Sequence, residues 1–74
     1  MNTQPKAINN IELDNAKQLI ILSYVSFAYC AKVKKCQSSK EKAIALEEVL
    51  IYTFKCSFSE LAEREKEYEE YMTK

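Results

Sequence analysis

Few side chains in this sequence could do chemistry: three cysteines (Cys30, Cys36, Cys56), a single aspartate (Asp14), and a scatter of glutamates and lysines. There is no histidine and no glycine. Without histidine the chain lacks the usual general base near neutral pH, and without glycine it cannot build a loop that cradles phosphate. The adjacent pairs Glu47–Glu48 and Glu69–Glu70 fall on predicted helices, where neighbours diverge into solvent and do not converge on a substrate. Cys30 and Cys36 are six residues apart, a spacing that points them to different faces of one helix, so neither a disulfide nor a shared metal is expected. The reading is of reduced, buried cysteines in a cytoplasmic protein, with an intermolecular bridge or a reactive thiol as the alternative. No enzyme, cofactor or metal is expected.

The elements that must position any site are therefore the question. Seventy-four residues make one small domain, and a chain of that size buries only about 60% of the surface its unfolded form exposes. Formal charge is zero, which argues against nucleic acid as a dedicated partner. The charge is nonetheless unevenly placed. Residues 1–40 hold six lysines against two acids, net +4, and residues 41–74 hold five Lys/Arg against nine glutamates, net −4. Such a division suits two segments lying side by side, or a partner that meets one end. Lysines 32, 34, 35 and 40 could meet phosphates, but without interleaved aromatics or a reading helix they are read as helix-end and turn residues. Residues 1–10 are polar and lack the apolar run of a secretory signal, so they are expected to form a flexible leader ahead of a single domain at 11–74.

The most apolar stretch is "LIILSYVSFAYCA", Leu19–Ala31, in which only the two serines are polar. As a membrane span it is too short, because thirteen helical residues cover about 20 Å of a ~30 Å hydrocarbon core. Lysines close it at both ends, so no membrane insertion is expected. Its β-branched and aromatic residues favour strands, but the absence of Gly and Pro from 11 to 36, acids near the start and lysines near the end favour a helix. The sequence predicts an all-α fold, an antiparallel helical hairpin packed in coiled-coil fashion. Helix 1 covers about 11–36 and helix 2 about 39–72, read first as continuous with a bend near 57–59 and second as broken there. Ser38 three residues before Glu41 reads as a capping box for helix 2, and Ser57 before Glu60 as a second at the break.

On the helical wheel Leu13, Ile20, Tyr24 and Phe27 form the intramolecular stripe of helix 1, to meet Leu46, Leu50 and Phe54 of helix 2. Leu19, Leu22, Val25, Tyr29 and Val33 lie outside that stripe and are the candidate partner-binding residues. A hairpin covers one side of each helix, so these five would face water in an isolated chain. Another protein covering them is the favoured resolution. The alternative is a third helix from "SELAEREKEYEEYMTK" folding back over them, a segment that offers few apolar residues for the purpose.

Two stretches, "DNAKQLIILSY" and "KEKAIALEEVLIYTF", resemble the helix patterns of the small helical-hairpin co-chaperones of type III secretion systems. An Ala-Lys step leading into aliphatics resembles the first helix, and a Leu-Glu step followed by aliphatics and an aromatic resembles the second. The resemblance implies a cytoplasmic heteromer subunit that binds a larger tetratricopeptide-like chaperone and helps keep a needle subunit soluble. The charged tail from Ser59 is longer than that pattern, and helix 1 is more aromatic. A homodimeric helical regulator, transcriptional or acting on another regulator, is the alternative in which a second copy supplies the cover.

Overall fold

The computed structural model describes the backbone of residues 10–74 and the side chains from Ile11 onward. The predicted leader lies almost wholly outside the described residues. Three helices follow in order: α1 (Asn10–Lys34), α2 (Gln37–Tyr52) and α3 (Phe58–Met72). No strand occurs among the described residues. The all-α class is as the sequence predicts, but the second helix is two helices.

α1 carries Glu12 in its first turn and Lys32 and Lys34 in its last, each sign placed where the helix dipole favours it. It ends two residues short of the predicted boundary because Lys35 adopts a left-handed conformation, with φ at 53°. Cys36 then stands extended as the N-cap of α2, and the Lys40 amide donates to its carbonyl oxygen at 3.1 Å. The Ser38–Glu41 capping box expected to start helix 2 near Ser39 is therefore not formed. The chain reverses earlier, and both serines fall inside the first turn of α2.

The second capping site does form. Ser57 is extended, and its Oγ accepts from the Glu60 amide at 3.1 Å to open α3. After Thr53, which still has helical dihedrals, the chain leaves the helix until Phe58. The Val49 carbonyl accepts from the Thr53 and Phe54 amides, the Leu50 carbonyl accepts from the Cys56 amide at 3.0 Å, and Lys55 is left-handed with φ at 60°. These bonds satisfy carbonyls that the end of a helix leaves without partners. A β-carbon in that conformation costs about 1–2 kcal/mol. Lys55→Gly is expected to raise stability by about 0.5–1 kcal/mol, part of the relief being offset by the greater freedom of glycine in the unfolded chain. Urea denaturation of the two proteins measures it.

α2 runs antiparallel to α1: the Lys42 ammonium lies 5.3 Å from the centre of the Phe27 ring, and Glu47 lies beside Tyr24. α3 runs parallel to α1, the pairs following the same order along both helices. Lys17 pairs with Glu60 at 3.2 Å, Arg64 donates to Gln18 at 2.7 Å, and Lys32 pairs with Glu69 at 2.7 Å. Both α2 and α3 pack on α1, and they scarcely touch each other. The acidic second half of the chain thus lies along the basic first half.

The core joins Ile21, Tyr24 and Val25 of α1, Ala43 and Leu50 of α2, Cys56 of the link and Leu61 of α3. Ile21, Leu50 and Leu61 are its fully buried large side chains. Burying each contributes about 1.5–3 kcal/mol.

Candidate interaction surface

Two of the seven predicted intramolecular residues, Tyr24 and Leu50, are fully in the core, and Ile20, Phe27, Leu46 and Phe54 pack half-buried against it. Leu13 does not join them, with 45% of its surface exposed. The antiparallel register sets the end of α2, at Tyr52, opposite about residue 19 of α1, so the first turns of α1 run on past it. Ile21, which the wheel sets beside the stripe, is fully buried, and Leu61, on the main apolar stripe expected of helix 2, is fully buried where α3 enters the core.

The five predicted partner-binding residues separate into two groups. Val25 is 4% exposed, because α3 lies over it beside Glu65, Tyr68 and Glu69, so its expected place on an outer face is corrected. Tyr29 is half-buried, its ring meeting that of Tyr68 edge-on at 5.6 Å and 73°. The third-helix closure accounts for both. Leu19, Leu22 and Val33 stay exposed, the first two at the edge of α3, which leaves more than half of each side chain open.

Around Leu19 and Leu22 the surface forms two adjoining hollows. One, about 530 Å³, is lined by Asn15, Gln18, Leu19, Leu22 and Arg64. The other, about 370 Å³, is lined by Leu22, Val25, Arg64, Glu67, Tyr68 and Tyr71. Leu22 and Arg64 belong to both, so the hollows are one groove along the α1–α3 seam. Its apolar residues are open to solvent: Leu19 is 67% exposed, Leu22 53% and Tyr71 71%. Arg64 is held in place by its bond to Gln18 and by Glu67, 3.4 Å from its Nε. A fixed arginine beside a tyrosine and two leucines is a surface of the composition that protein interfaces favour. The sequence reading missed Arg64 and Tyr71, which become visible as a pair only when α3 is laid parallel to α1.

Behind the groove, Tyr24 ties the three helices together. Its hydroxyl donates to Glu65 Oε2 of α3 at 2.6 Å and lies 3.4 Å from Glu47 Oε2 of α2. Burial first, and then Glu65 and Glu47, push the Tyr24 hydroxyl far above the ordinary tyrosine range. Lys17 and Lys32 are also raised, chiefly by their hydrogen bonds to Glu60 and Glu69. All three groups hold their protons more tightly folded than unfolded. Their contribution is present in full below the unfolded values, 10.0 for tyrosine and 10.5 for lysine, and is lost as pH rises through the folded ones. Stability is expected to fall above about pH 10, and less steeply in Tyr24→Phe, as followed by denaturant midpoints across an alkaline series.

No cluster of three or more metal-ligating side chains and no helix long and apolar enough to cross a membrane occurs among the described residues. Comparison of the chain with protein-family models, with curated proteins and with solved structures gives no match.

Proposed function

We propose that the chain is a protein–protein interaction module, with the α1–α3 groove as its docking face. The observation that carries this reading is the contiguous exposure of Leu19, Leu22 and Tyr71 around the tethered Arg64. Covering an exposed Leu pair and a tyrosine removes apolar area from water at about 25 cal/mol per Å², without any rearrangement of the core. The groove is open along a helix seam, a shape suited to the apolar stripe of a partner helix. In its most concrete form the module is a cytoplasmic co-chaperone of type III secretion. It would seat a helix of a larger tetratricopeptide-like chaperone and help keep a needle subunit soluble. The resemblance of "DNAKQLIILSY" and "KEKAIALEEVLIYTF" supports that form, and the first of these stretches contains Leu19 and Leu22.

Leu22→Asp is expected to abolish association while leaving helicity and stability near those of the unchanged protein, because the side chain already faces water. The measurement is co-purification with a tetratricopeptide-like needle chaperone expressed together with the chain, with circular dichroism as the control for folding. Equal recovery of the unchanged and Leu22→Asp chains would exclude this groove as the docking face. Self-association abolished by Leu22→Asp would instead assign the groove to a second copy, as in a homodimeric regulator.

A further inference from the structure

A second open cleft runs between α1 and α2 and shares no residue with the α1–α3 groove. Its origin lies in the residue types. Ala28 and Ala31 of α1 and Ala43 of α2 line it, and their methyl groups leave open a space that larger side chains would fill. That space is about 360 Å³, with Ile44 at its edge, 47% exposed. Toward the corner it runs into a further hollow of about 430 Å³, the two having Ala31, Lys32 and Lys40 in common.

The two ends of the cleft differ in charge. At the corner, Lys32 is already committed to Glu69 at 2.7 Å, but Lys35 and Lys40, which line the same hollow, have no carboxylate partner among the described residues. Tyr24 and Glu47 close the other end, and the Tyr24 hydroxyl donates to Glu65 at 2.6 Å. An anion placed at that end would meet Glu47; at the corner it would meet two ammonium groups without a counter-charge. The apolar part therefore leads to a basic mouth, over a length of about 15 Å if measured by the ~1.5 Å rise of α1 from Tyr24 to Lys34.

We propose that this cleft binds a small amphiphilic anion, a single alkyl chain ending in a carboxylate or a phosphate, with the chain on Ala28, Ala31, Ala43 and Ile44 and the head on Lys35 and Lys40. An apolar hollow with a few convergent polar groups is how small-ligand sites are built, and 360 Å³ falls at the lower end of their range of about 300–1,000 Å³. A helix, at least ~10 Å across, needs more room than this. Lysine ammonium groups act as point charges and hold either head. Of the three cysteines expected to be buried, only Cys56 is; Cys30 and Cys36 are half-buried free thiols, and Cys36 lines the basic hollow, where it serves as a reporter of occupancy.

The test titrates the isotope-labelled full chain with dodecanoate and, separately, with dodecyl phosphate, each below its micelle-forming concentration, and follows the amide resonances. Saturable shifts centred on Ala28, Ala31, Ala43 and Ile44 are expected with at least one of them, and the tighter of the two identifies the head. Dodecyltrimethylammonium, the same chain with a cationic head, should bind severalfold more weakly. Changing Lys35 and Lys40 together to Gln should weaken binding of the anion severalfold. Ala31→Leu, at a half-exposed helical position, should fill the hollow and abolish binding, whereas Leu22→Asp in the other groove should leave it unchanged. Bound dodecanoate should also slow alkylation of Cys36 by iodoacetamide. Four results would each overturn the assignment: no saturable shift with either anion, equal affinity for the cationic amphiphile, undiminished binding after loss of both lysine charges, or shifts that centre on Leu19 and Leu22 and vanish in Leu22→Asp.

Discussion

Replacing Val25 by Asp is expected to cost about 3–5 kcal/mol and to strip α3 from α1, because the new carboxylate would be buried without a partner. Glu65 and Glu69 of α3 beside it carry the same sign, and the nearby cations Arg64 and Lys32 are already engaged by Gln18 and Glu69. A chain of this length has a total stability of about 4–11 kcal/mol, and such a loss takes much or all of it. Leu22→Asp, three residues earlier, should cost little. Circular dichroism in increasing urea separates the two, and a Val25→Asp chain as stable as the Leu22→Asp chain would mean that α3 does not cover this face of α1.

The second large effect is expected at Leu61. Leu61→Ala removes a fully buried side chain where α3 enters the core, and about 2–5 kcal/mol should be lost. Leu50→Ala, at the corresponding depth on α2, should cost a similar amount. If the three helices form one cooperative unit, each variant shifts a single transition seen equally by far-ultraviolet dichroism and by tyrosine fluorescence. A Leu61→Ala chain that keeps the original midpoint would place α3 outside that unit.

How far the sequence could be read follows from what each element depends on. The extent of α1 was legible within two residues, since an apolar run without Gly or Pro between an acidic start and a basic end leaves few alternatives. The start of α3 was legible too, in the Ser57–Glu60 pair. The two left-handed turns were not, because both are made by lysines in a chain without glycine, and nothing in the local residue types marks Lys35 or Lys55. That omission let helix 2 run through to residue 72. The covering of Val25 was missed for a different reason. Counting apolar residues undervalued α3, which holds to α1 partly through Glu60, Arg64, Glu65 and Glu69, each hydrogen-bonded or paired to a residue of α1. Of the outer residues, Leu19, Leu22 and Val33 are where the wheel placed them, and their exposure follows from composition and period alone.

The arrangement of α2 and α3 on a shared central helix also sets an order of assembly. Phe27 and Lys42 are separated by a short stretch of chain, whereas the pairs that seat α3 are 37 to 46 residues apart. Closing the longer loops costs more chain entropy, so α1 and α2 should join first and α3 dock onto a hairpin already formed. Because α3 scarcely touches α2, its departure leaves that hairpin whole. Amide protons of α3 should therefore exchange through a partial opening that spares Leu50 and its neighbours, and that opening uncovers Val25 and Tyr29 beside the groove. On this order an α1–α2 hairpin, shorter than the one the sequence predicts, should precede the three-helix bundle.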